Sequence, residues 1–145
     1  MSVPSSLRQS VATRDRGRCA YCLTTEENCG LNMHVDHVVP EVAGGPTILE
    51  NLCLACFACN TYKGAQQTGA DPKTKKTVAL FHPIRQRWAD HFTWSEDQTL
   101  TLGLSPSGRA TVVALQMNNP TVVDGMDDRS VALLARRQES FRFVE

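Results

Sequence analysis

Apolar residues come in short runs separated by polar stretches and glycine or proline breaks, which predicts small elements rather than long helices. Pro4 to about Asp15 reads as a helix, with Pro near its start, Leu7, Val11 and Ala12 on one side, and Gly17 at its end. Residues 33–39 alternate apolar and polar positions as a strand and stop at Pro40. Gly44-Gly45-Pro46 forces a turn, Ile48 to Leu52 begin a returning segment, and Asn60 to about Lys63 continue as a helix that Gly64 breaks. Strand, loop, returning segment and helix make a ββα unit. Residues 65–77 are polar and Lys-rich without a buried face, which predicts a loop or linker. Beyond it, a strand pair is expected at 91–95 and 99–104 around Ser95-Glu96-Asp97-Gln98. A helix over 108–117 with Ser107 as N-cap follows, and a further helix from Pro120 onward. The fold class is α+β: residues 1–64 as N-terminal helix and core, 65–77 as linker, 78–145 as an appendage packed on the core.

Cysteine changes this picture most. Cys19/Cys22 and Cys56/Cys59 are two C-x-x-C pairs. Two thiolates on a tight knuckle supply half a tetrahedral Zn²⁺ site, so two knuckles make a closed structural site that fastens distant segments together. No signal-peptide-like or membrane-length apolar run is visible, so a reducing, cytoplasmic setting is expected, where paired C-x-x-C favours metal over disulfides. Cys29 and Cys53 read as buried thiols, although Cys53/Cys56 offers a rival register for the second knuckle. The metal also supplies a staple to a core of modest size in a chain of 145 residues.

The formal net charge is zero, which argues against a simple polyanion binder. Its distribution is uneven: Arg8, Arg14, Arg16 and Arg18 cluster near the start, and Lys63, Lys73, Lys75, Lys76, Arg85 and Arg87 later, with acids at Asp124, Asp127 and Asp128. A locally basic face is compatible with gripping phosphates at a few points.

Between the knuckles lies HVDHVVP at 34–40, and Asn60 follows the last paired cysteine. Phosphodiester hydrolysis needs an activated water and a cation for the charge on the phosphoryl group; histidine serves as base near neutral pH, and a Mg²⁺-like ion takes oxygen ligands. His37 is the candidate base, and Asp36 and Asn60 are candidate oxygen ligands. Adjacent strand residues point to opposite sides, so Asp36 and His37 share one site only if the strand ends or distorts there.

Together, RCAYC, HVDHVVP, the glycine pair and NLCLACFACNTYKG resemble the HNH endonuclease family, or ββα-metal nucleases, in its zinc-stapled branch, over roughly residues 14–64. The resemblance implies a metal-dependent endonuclease acting on double-stranded DNA with low sequence specificity. It implies that Asp36 binds the catalytic metal, His37 activates water, Asn51 steadies the loop and the base, and Asn60 is the third position, giving an H-N-N version. A neutral amide in that position favours Mg²⁺ or Mn²⁺ over Zn²⁺ for catalysis. The tail is similar to an appendage found on bacterial members. Trp88, Phe92 and Trp94 read as aromatics holding that appendage to the core rather than as base-stacking groups, and His82 and His91 as structural histidines. His34 shares a strand face with Asp36, and Lys63 lies one turn after Asn60 within reach of a substrate phosphate. The rival readings are a non-catalytic zinc-stabilised nucleic-acid-binding module and a zinc-stapled interaction domain.

Overall fold

The computed structural model describes residues 3–118; the helix expected from Pro120 and the acids at 124–128 lie outside the described residues. In chain order the elements are α1 (Ser5–Arg14), α2 (Glu26–Cys29), β1 (His34–His37), two single 3₁₀ turns (Glu41–Ala43 and Leu49–Asn51), β2 (Leu52–Ala55) and α3 (Phe57–Lys63). The later part of the chain contributes β3 (Thr68–Ala70), β4 (Thr77–Ala79), α4 (Trp88–His91), β5 (Phe92–Trp94), β6 (Thr101–Gly103) and α5 (Pro106–Ala114). The strands form three two-stranded antiparallel sheets, β1-β2, β3-β4 and β5-β6. The α+β class and the ββα unit expected from the sequence are present, with β1, β2 and α3 consecutive and in contact.

Helix α1 is mostly polar and buries only Val11, so apolar packing alone holds it weakly. Its C-terminal charges do the rest. Arg14 donates from Nη1 to Leu49 O at 2.7 Å and from Nη2 to Leu52 O, and Asp15 Oδ2 accepts from Leu54 N at 2.8 Å. Arg14 is therefore spent on the backbone of β2 and the turn before it, not on a basic outer face. The chain then leaves the helix through Gly17 at φ +68°, a conformation that suits glycine.

Residues 65–77, expected as a loop or linker, contain β3, the turn after it and the first residue of β4. Thr68–Ala70 pairs with Thr77–Ala79 as a hairpin, so the boundary expected there runs through a sheet. The stretch buries only one charged residue, Asp71, which pairs with Arg109 of α5 through two 2.9 Å bonds, Nε to Oδ1 and Nη2 to Oδ2. A partner 38 positions away is invisible to local polarity. Asp71 also accepts from Lys73 N and Thr74 Oγ1, closing the turn between the strands.

The second correction concerns α5, which starts at Pro106 with Ser105 as N-cap, not at Gly108 with Ser107. Ser105 Oγ accepts from Gly108 N at 2.9 Å and pairs with His91 Nδ1 at 2.6 Å, while Pro106 opens the helix with its φ already set. Gly108 is required by close approach: a Cβ there would lie 2.0 Å from His91 O. Phe81, Trp88, Phe92 and Trp94 pack with ring centroids 4.9–5.2 Å apart. Trp88 Nε1 donates to Tyr21 O at 2.8 Å, so this aromatic cluster is joined to the first cysteine knuckle. His82 Nδ1 accepts from Ile84 N and Arg85 N, and His91 is the partner of Ser105, so both act within the appendage's own frame.

Candidate functional site

Cys19, Cys22, Cys56 and Cys59 converge, with all four Sγ atoms within 4.8 Å of one another and all four residues buried. A tetrahedron with about 2.3 Å Zn–S bonds has edges of about 3.8 Å, and Cys22 and Cys56 already stand 3.7 Å apart. The donor set thus fits Zn²⁺ in both chemistry and size. Each knuckle is closed by an amide aimed at sulfur: Cys22 N donates to Cys19 Sγ and Cys59 N to Cys56 Sγ. Cys56, which caps α3, is held far below the usual thiol range by hydrogen bonds from Cys19, Cys22 and Cys59, whereas Cys22 and Cys59 are pushed up by hydrogen bonds to neighbouring sulfurs.

The rival register is excluded by placement. Cys53 lies opposite Asp36 in the β1-β2 register and is outside the cluster; burial pushes its thiol up. Cys29 is half-buried and points its sulfur at Leu31 O.

An open cleft of about 250 Å³ lies at the end of β1, and Asp36, His37 and Asn60 all line it, together with Pro40, Glu41 and Gly64. The alternation problem is solved by position. β1 ends at His37, the chain bends toward Pro40, and the cleft wraps around that end, so two adjacent residues reach one space. Asn60 reaches it from the middle of α3, whose start is fixed by the second cysteine knuckle. A carboxylate and an amide oxygen are the donor types that hard divalent cations take.

His37 Nε2 lies 3.0 Å from Thr47 Oγ1 and 3.8 Å from Glu41 Oε1. Among the described residues its Nδ1 makes no hydrogen bond. Asn51 does not line the cleft. Its side chain is buried and makes three bonds to the intervening loop: Oδ1 accepts from Val39 N at 2.9 Å, and Nδ2 donates to Val39 O at 3.0 Å and to Pro46 O at 2.9 Å. Gly45 closes tightly over the same spot, since a Cβ there would sit 1.7 Å from Val39 O. The loop so tied carries Thr47 to His37.

Two further residues meet the site in ways the sequence does not show. Tyr21, inside the first knuckle, donates from its hydroxyl to Asp36 Oδ2 at 2.9 Å and is fully buried. Lys63 is not an outward-facing helix end: its side chain is 3% exposed, its Nζ lies 3.1 Å from Asp36 Oδ2 and 3.4 Å from Oδ1, and it donates to His37 O at 3.1 Å. Burial raises the Asp36 carboxyl above its ordinary range, opposed by Lys63 and then Tyr21. The spacing from Asn60 to Lys63 was the one available signal for this lysine; nothing local marks Tyr21 or Thr47. His34 is exposed, tilted against Phe57 at 6.1 Å between ring centroids, and lines no part of the cleft.

Among the described residues no helix is long and apolar enough to cross a membrane. No curated protein and no solved structure matches the chain. Residues 19–66, which contain both knuckles, β1, β2, α3 and the cleft residues from Val35 to Ala65, match the family model for HNH endonuclease. The chain therefore carries an HNH endonuclease domain, which implies nuclease-type chemistry on nucleic acid.

Proposed function

We propose that the protein is a metal-dependent endonuclease that hydrolyses DNA phosphodiester bonds, with His37 as general base and Mg²⁺ or Mn²⁺ held by Asp36 and Asn60. The observation that carries this reading is the sharing of one open cleft by a carboxylate, an imidazole and an amide from two different elements. Bound there, the divalent ion would stabilise the negative charge on the phosphoryl group and the leaving oxygen.

The protein's own contribution follows from the histidine. For Nδ1 to take a proton from water it must be unprotonated, so Nε2 carries the hydrogen and donates to Thr47 Oγ1. Glu41 Oε1 stands 3.8 Å from the same nitrogen, on the side of the ring away from the water. Asn51 is a positioning residue in this scheme: it holds the loop that brings Thr47 to the ring. Four thiolates would fill the coordination of a zinc ion and leave no position for water, so this site would serve as a clamp, holding the knuckle of Tyr21 beside Asp36 and fixing the start of the helix that carries Asn60.

Substrate contact outside the cleft falls to exposed basic residues. Lys73, Lys75 and Lys76 stand exposed on the turn between β3 and β4. Contacts of this kind position a protein on the backbone without reading sequence, so low specificity on duplex DNA is expected.

The deciding experiment incubates supercoiled plasmid with the zinc-loaded protein and Mg²⁺ or Mn²⁺, beside His37→Ala and Asp36→Ala. The wild type should nick or cut; His37→Ala should lose about 10²–10⁴ of the rate with metal binding retained. Asp36→Ala should lose metal affinity and recover partly in excess Mn²⁺. A wild type that binds DNA but never cleaves it would replace this reading with that of a zinc-stabilised binding module.

A further inference from the structure

We infer that Lys63 is the resident counter-cation of Asp36, occupying the carboxylate that a divalent ion needs, and that its ammonium gives up this carboxylate when the ion enters and then meets a substrate phosphate oxygen. The inference rests on the reading of Asp36 as a metal ligand. Its own support is geometric. The Lys63 ammonium has three acceptors within 3.4 Å, the two Asp36 oxygens and His37 O, in a setting where its side chain is 3% exposed. Two hydrogen bonds, to Asp36 Oδ1 and His37 O, and the ion-pair contact with Asp36 Oδ2 hold the group in place.

A buried ammonium and a buried carboxylate each persist only because the other is there. A Mg²⁺-like ion binds a carboxylate oxygen at about 2.0–2.1 Å, which would put two positive charges within a few ångströms of Nζ and on the same oxygens. Ammonium and ion therefore compete. Tyr21 does not enter this competition, since its hydroxyl is neutral and its bond to Oδ2 persists with either cation. Asn60 lies one turn before Lys63 on α3, so the two residues share one side of the helix, and the ammonium meets the cleft through Asp36, which lines it. A displaced ammonium needs a new anion, and the phosphate that the site receives is the one chemistry brings. Metal entry and phosphate capture become linked through one side chain.

Mn²⁺ binding to the zinc-loaded protein without DNA, measured by calorimetry, tests this directly. Lys63→Gln keeps a hydrogen-bond donor for Asp36 but removes the charge; it should bind Mn²⁺ at least tenfold more tightly than wild type, and folded Lys63→Gln with equal or weaker affinity would overturn the inference. Asp36→Asn runs alongside. If it binds Mn²⁺ as wild type does, the reading of Asp36 as ligand is what fails; if it loses binding while Lys63→Gln gains nothing, only the role of Lys63 falls. Should Lys63→Gln not fold, acetic anhydride labelling of the wild type mapped by mass spectrometry answers in its place. Lys63 should be protected relative to Lys73, Lys75 and Lys76 without Mn²⁺ and acetylated several-fold faster with it, and protection unchanged at saturating Mn²⁺ would refute the exchange.

Discussion

Replacing Asn51 by alanine tests how much of the site depends on one buried amide. The change removes three hydrogen bonds to Val39 N, Val39 O and Pro46 O and leaves those backbone groups without their partner. At about 1 kcal/mol net for each bond, the loss is about 3 kcal/mol. That is a large share of the roughly 5–15 kcal/mol available to a small domain. With a urea slope of about 2 kcal/mol per molar, the unfolding midpoint should drop by about 1.5 M. Asn51→Asp sharpens the test, because it keeps the acceptor for Val39 N but turns an oxygen toward the Val39 and Pro46 carbonyls. At pH 7 it should destabilise at least as much as alanine. Both variants, assayed at a temperature and denaturant concentration where they are folded, should cleave more slowly than wild type, since the loop that presents Thr47 to His37 is no longer tied. A loss under about 1 kcal/mol for Asn51→Ala, or Asn51→Asp milder than Asn51→Ala, would refute the account of Asn51 as the tie of this loop.

Zinc removal should be felt as unfolding: elemental analysis should find about one zinc per chain, and Cys56→Ser should lower the melting temperature sharply, because the four clustered sulfurs join residues 19–22 to residues 56–59. Acid stability should carry the signature of Asp71, whose carboxyl Arg109 holds well below the usual range. A depressed folded value contributes stability that is complete above the unfolded value of about 3.9 and disappears as pH falls below it. Urea unfolding between pH 5 and pH 2 should therefore lose stability less steeply in Asp71→Asn than in wild type. Replacing Lys73, Lys75 and Lys76 together by alanine should weaken DNA binding similarly across unrelated duplexes and flatten its salt dependence, read from binding titrations at several salt concentrations.

What was legible in the sequence is what chemistry demands at short range. Two C-x-x-C pairs, an acid beside a histidine and an asparagine after the last cysteine are recognisable because each motif's members lie within a few residues of one another, and their types alone limit what they can bind. The small ββα unit was legible for the same reason, since glycine, proline and alternation act locally. The tertiary structure decided which polar residues turn inward. Lys63 read as part of a basic face, and Asp71 lies in a stretch that read as having no buried face, yet Lys63 is buried against Asp36 and Asp71 against Arg109. Tyr21 read as part of a knuckle, yet its hydroxyl supports the acid 15 positions away. Thr47 carries no local signal, yet it meets His37 because Asn51 pulls the loop closed. A charge or hydroxyl leaves water only when a partner replaces the lost hydration, and that partner comes from a distant part of the chain, so burial of such groups is a property of the assembled fold and not of the segment that carries them.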